Sequence, residues 1–184
     1  MRNLALSVVL LFLCKPIVLI SQSVEPYDIM ISELMIDPNP VVGLPNFEWI
    51  ELYNRTNQSI NLEDFLYSSG STRYKLPAYD LAAGAYVMIC DDSDRDELRT
   101  FGEAIDIMTF PSLTNGGDVA TLEDPNGNWI HEVIYKKSWY GDTDKDDGGY
   151  TLELINPNDP CLAASNWMAS GANSGGTPAA QNSG

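Results

Sequence analysis

Twelve residues, Asp142-Thr143-Asp144-Lys145-Asp146-Asp147-Gly148-Gly149-Tyr150-Thr151-Leu152-Glu153, carry the densest chemistry of this chain. Acids at positions 1, 3 and 5 with a glutamate at 12 follow the spacing at which carboxylate oxygens converge on calcium. Asp142, Asp144, Asp146 and Glu153 are therefore the candidate metal ligands, and calcium is the one cofactor the pattern suggests. Position 6, where such loops carry glycine, is Asp147, and a strand follows where the motif has a helix. In that strand Leu152 and Leu154 share the inward face, which turns Glu153 outward. Without a metal the same residues read as a solvated acidic loop that uses Asp and Gly for its turns. Trp139 and Tyr140 precede the loop. They are either an aromatic latch pinning it or an exposed ligand-binding platform, which beside calcium would suit a sugar.

Other candidate groups carry less. Asp91-Asp92-Ser93-Asp94 with Asp96-Glu97 reads as helix capping and solubility. His131 is the only histidine, and alternation with Ile130 and Ile134 places it on the surface. One histidine and two distant cysteines do not make a zinc site. No serine lies in a nucleophile elbow, and carboxylates are too abundant to single out a glycosidase dyad. The sequence offers no catalytic residues. An exported, metal-assisted hydrolase using His131 or Glu153 ranks last. Asn54-Arg55-Thr56 and Asn57-Gln58-Ser59 are sequons, meaningful only on a eukaryotic secretory route.

The elements that would position these groups are short strands separated by turn chemistry. Strands are expected at Ile29 to Ile36, Glu48 to Tyr53, Ile60 to Tyr67, Arg73 to Leu76, Ala85 to Cys90, Val119 to Glu123, Trp129 to Tyr135 and Tyr150 to Ile155. One helical turn is expected at Ser93 to Arg99, capped by Ser93. Ile50 and Leu52 should face the core, with Trp49, Glu51 and Tyr53 opposite. From Asn156 the composition turns to Asn, Pro, Ser, Ala and Gly, a tail that wraps the domain edge or becomes a linker. The pattern is all-β, a sandwich over residues 29–183, preceded by a flexible segment at 22–28.

Residues 1–21 read as a secretory signal peptide: Arg2, an apolar run from Leu4 to Ile20, then Ser21-Gln22-Ser23. Lys15-Pro16 breaks the run, leaving roughly ten clean apolar residues where a span needs about 20. A retained anchor is the alternative. The expected location is outside the cell or in its envelope, periplasm or outer surface, with no membrane span in the mature chain. Acids outnumber bases by 26 to 10, and removing Arg2 and Lys15 takes the net charge from -16 to -18. Such a surface repels phosphate backbones, which makes nucleic acid a poor partner. A protein or cell-surface component is the expected partner, with a glycan as the alternative. Cys14 leaves with the leader, so Cys90 and Cys161 are expected to form a disulfide; two free thiols are the alternative.

Several segments, in order, resemble the lamin tail domain as it occurs in secreted bacterial proteins. They are Ile31-Ser32-Glu33-Leu34-Met35, Glu48-Trp49-Ile50-Glu51-Leu52-Tyr53-Asn54, Leu81-Ala82-Ala83-Gly84-Ala85-Tyr86-Val87, Phe110 to Asp118, Gly149 to Glu153, Asn166-Trp167 and Gly175-Gly176-Thr177-Pro178. The resemblance spans Ile29 to Ser183. It implies an immunoglobulin-like β-sandwich and a non-catalytic structural or interaction role, and it supplies no catalytic residues. Calcium-dependent glycan binding or adhesion is the alternative function.

Overall fold

The computed structural model describes residues 23–184. The expected signal peptide at 1–21, with Cys14, lies outside them. Among the described residues no helix is long and apolar enough to cross a membrane.

The elements are β1 (Ile29–Met35), β2 (Trp49–Asn54), β3 (Ile60–Asn61), β4 (Leu66–Ser69), β5 (Thr72–Lys75), β6 (Asp80–Leu81), β7 (Tyr86–Asp91), α1 (Arg95–Leu98), β8 (Ala104–Ile107), β9 (Gly117–Glu123), β10 (Trp129–Lys136), β11 (Leu152–Leu154) and β12 (Trp167–Ala169). They form a six-stranded sheet in the order β12-β11-β1-β2-β7-β8, a four-stranded sheet in the order β10-β9-β4-β5, and a small β3-β6 pair. All pairings are antiparallel except β7 with β8, which the α1 crossover makes parallel. The architecture is the expected all-β sandwich.

The core between the sheets holds Ile50 and Leu52 of β2, Val87 and Ile89 of β7, Leu122 of β9 and Tyr135 of β10, as alternation requires. A second, smaller cluster covers the other face of the six-stranded sheet, where Trp49, Met88 and Cys90 meet Met35 and Leu98. That sheet is therefore buried on both faces.

Two bulges set the local geometry. In β1, Ile31 faces Leu52 and Glu33 faces Glu51, so Ser32 is the extra residue. In β10, Trp129 faces Glu123 and His131 faces Leu122, so Ile130 is extra. The bulge changes the parity of β10 and turns His131 inward; it is 4% exposed, against the expectation of a surface residue.

Two further expectations change. The strand over 60–67 is split, because Asn61 Oδ1 accepts the Glu63 N–H and Asp64 takes a left-handed φ of 63°. Asp94, not Ser93, is the residue before the helical turn, and Ser93 Oγ donates to Asp91 and Asp94 instead. Residues 23–28 run beside β10: Tyr27 N–H donates to Ile130 O at 2.8 Å, and Val24 and Tyr27 pack on the core.

Candidate functional site

Glu33, Glu51 and Glu153 stand in one row across β11, β1 and β2, with Glu33 the cross-strand partner of both others. All three side chains point away from the core, yet each residue is fully buried. Their cover is the chain's own closing segment, residues 175–183. Thr177 N–H donates to Glu33 Oε1 at 2.8 Å, Ala179 N–H to Glu51 Oε2 at 2.6 Å, and Ser183 N–H to Glu153 Oε2 at 2.7 Å. Hydroxyls complete the shell: Thr151 donates to Glu33, Ser32 to Glu51, and Thr177 and Ser183 to Glu153. Gly176 lies directly over Glu33, where an added Cβ would sit 2.7 Å from Oε1. Asn182 fastens the end of the strap by donating to Ser32 O and Leu154 O, each at 2.8 Å.

Burial pushes Glu33 up to about 7, with Glu153 beside it adding to the rise against the lowering hydrogen bonds. Burial, then the neighbouring Glu33 charge, holds Glu51 well above the ordinary carboxylate range. Glu33 and Glu51, buried side by side, cannot both ionise cheaply. The oxygens of the row are occupied by the strap. Its chemistry is to hold the end of the chain.

This placement corrects Glu153. It does turn away from the core, but that side of the sheet is roofed by chain. The candidate set Asp142, Asp144, Asp146 and Glu153 is therefore not brought together. Asp144 N–H donates to Asp142 Oδ1 at 2.9 Å, a local Asx turn, and Lys137 pairs with Asp146 at 3.4 Å and Asp147 at 3.3 Å. Among the described residues no three His, Cys, Asp or Glu side chains are grouped to hold a metal ion.

Trp139 and Tyr140 lie in a short 3₁₀ turn, Lys137–Tyr140. Tyr140 is buried and its hydroxyl donates to Tyr150 O at 3.1 Å, while Trp139 packs against the core with Trp167 at 6.3 Å. The pair is a latch on the loop, and the exposed platform built from both rings is corrected.

The expected disulfide is also corrected, since both cysteines are free. Cys90 is buried on β7, its Sγ 3.7 Å from Ile105 O, and burial pushes its thiol up to about 12. Cys161 is exposed in the 3₁₀ segment Pro160–Asn166, beside β11. Strands β1 and β2 stand between β11 and β7, roughly 14 Å at ordinary strand spacing. A disulfide spans about half that between Cα atoms.

His131 is the residue that alternation misplaced. Its Nδ1 accepts the Ile31 N–H at 2.9 Å, at the bulge of β1, which fixes the proton on Nε2. Burial, then the charge of Arg55, pulls the imidazole down to about 4, so the ring is neutral. It lines a groove of about 300 Å³ with Tyr27, Trp129, Trp139 and Trp167. Asn54, the first sequon asparagine, is buried, its amide donating to Gln58 O, Leu81 O and Ala82 O, so in the fold it is a corner brace.

A search among curated proteins finds no match to the chain. The Lamin Tail Domain family model matches residues 22–137, well over half of its length. The match covers more than half of the chain, and the chain belongs to the lamin tail domain family of non-enzymatic, immunoglobulin-like β-sandwiches.

Proposed function

We propose that the chain is a non-catalytic interaction module of an exported protein, which holds a protein or cell-surface component at the sandwich edge formed by β10. Family membership supports an interaction role. The observation that carries the reading is at that edge. Trp129, Ile134 and, beside Cys161, Leu162 are among the exposed large apolar residues of a domain whose other large side chains are mostly spent on two buried clusters. Scattered apolar residues are ordinary on a surface; grouped along one edge they mark a contact. The leader-like run from Leu4 to Ile20 supports export, and the acid excess argues against nucleic acid as partner.

The test has two readings. The full-length precursor, made in a secreting host, should appear outside the cytoplasm with its N-terminus close to Gln22, as read by intact mass. The purified product should then sediment saturably with cell envelopes of the organism that makes it. Trp129→Ala combined with Ile134→Ser should abolish that retention while leaving the melting temperature in place. An intact leader on cytosolic protein removes the export half, and retention indifferent to the double variant removes β10 as the contact.

A further inference from the structure

β10 closes one edge of the four-stranded sheet, with β9 its only ladder partner among the described residues. Strand alternation decides which main-chain groups that leaves over. Gly70 N–H donates to Val119 O, which turns Val119 toward β4 and so turns Asp118 and Ala120 toward β10. Their cross-strand partners are Tyr135 and Val133, and Lys137 N–H donates to Gly116 O in the same phase. The N–H and C=O groups of Glu132, Ile134 and Lys136 therefore point away from β9. Tyr27 takes Ile130 O, and beyond it the groove of about 300 Å³ separates the edge from Pro160, Cys161 and Trp167. An exposed row of unpaired donors and acceptors is a template for another strand.

The side chains of the same three residues select that strand. Glu132, Ile134 and Lys136 lie on the outer face of the sheet and are exposed, Ile134 by 54%. Among the described residues neither Glu132 nor Lys136 enters an ion pair, and Glu132 accepts only from Thr121, its neighbour on β9. Four residues apart on one strand, they stand roughly 13 Å from each other and cannot pair within a single copy. Alone, such charges blunt an edge. Against a second β10 running antiparallel, about a two-fold axis at Ile134, they become complementary. Ile134 then faces Ile134 of the second copy, and Glu132 faces Lys136 on both sides of the axis. All three outward residues fall in pairs that exchange both N–H···O bonds. An axis at Val133 or Tyr135 would set one of the charges against Ile134, and an axis at Glu132 or Lys136 would set like charges face to face. The axis at Ile134 both completes the ladder and opposes unlike charges.

We infer that β10 is a self-association edge, pairing antiparallel with β10 of a second copy of this chain about a two-fold axis at Ile134. The inference rests on the reading of β10 as the contact edge and names its occupant.

The excess of 26 acids over 10 bases opposes the approach of two copies at long range. Salt screens it beyond about 8 Å at physiological ionic strength, so association is measured there, by sedimentation equilibrium. The exported protein should pass from monomer to dimer below about 1 mM. Glu132→Lys sets lysine against Lys136, and Lys136→Glu sets glutamate against Glu132, at two places in each dimer. Either variant alone should dimerise about tenfold or more weakly than the parent, with its melting temperature at monomeric concentration in place. An equimolar mixture of the two faces lysine with glutamate at both places and should associate as tightly as the parent. A parent that stays monomeric to about 1 mM, or a mixture as weak as its components, overturns the second copy as occupant. Envelope retention still lost in the Trp129 and Ile134 double variant would then leave β10 as the contact for a different protein. Retention indifferent to the double variant would bring down the β10 contact as well.

Discussion

Glu33 and His131 are both buried, and folding moves their proton affinities in opposite senses. Glu33 rises from 4.5 to about 7, so between those values the folded chain holds a proton that the unfolded chain has lost. Its contribution is fully present below pH 4.5 and is lost as pH rises through about 7, on the order of 3 kcal/mol over the window. His131 falls from 6.5 to about 4, so its contribution is present above pH 6.5 and is lost as pH falls toward 4. In the parent protein the two trends oppose each other across mildly acidic pH. Glu33→Gln separates them. The amide keeps an oxygen for Thr151 and Thr177 and has no proton to lose, so its stability relative to the parent should grow steadily from pH 4.5 to pH 7. Urea midpoints of both proteins at pH 5 and pH 8 check this, and a gap that stays constant would mean that Glu33 folds ionised. Neither residue was legible by alternation alone. The pattern Ser32-Glu33-Leu34, Ile50-Glu51-Leu52 and Leu152-Glu153-Leu154 repeats a carboxylate between two other strand residues. It was a visible sign of a shared row, but only the pairing register brings the three together.

Strands and loops differ in how much of themselves they announce. β2 and β7 were readable because long apolar alternations leave one register that buries them. β6, β8 and β12 are two to four residues long and take their conformation from a partner already in place. β10 was readable as a strand, but its bulge at Ile130 is invisible in composition, and it alone decides that His131 enters the groove rather than the solvent. The acidic loop shows the converse error, a motif complete in spacing whose twelfth member is claimed by another element. With Glu153 held by Thr177 and Ser183, and Lys137 between Asp146 and Asp147, the loop has lost both its bidentate acid and part of its charge. Thermal melts in about 5 mM calcium and in chelator should therefore coincide. A ligand that binds only the folded state adds about 2.7 kcal/mol at 100 times its dissociation constant. An upward shift abolished by Asp144→Ala would restore the loop as a calcium site without Glu153.

At the scale of the molecule, the end of the chain is a structural member that spans β11, β1 and β2. Composition suggested a tail wrapping the domain edge or a linker, since Gly175-Gly176-Thr177-Pro178 is poor in apolar groups. Its work is done by N–H and hydroxyl donors, which hydropathy does not register. Deleting residues 175–184 removes the donors of Thr177, Ala179 and Ser183 and opens the three carboxylates to water. Two opposing consequences follow. The strap's hydrogen bonds to charged or polar acceptors are lost, each worth about 1 to 3 kcal/mol, which lowers stability. The desolvation that raises Glu33 and Glu51 is also lost, so both should titrate as ordinary carboxyls and the fall in stability above pH 5 should disappear. The truncated domain is thus expected to melt lower than the parent at pH 5, with the deficit narrowing as pH rises toward 8. Gly176→Ala, which forces a methyl group onto Glu33 Oε1, should move the parent part of the way along the same path. A deficit that is the same at both pH values would mean that the strap closes the fold by packing, and that the carboxylate row beneath it is not what couples the end of the chain to protons.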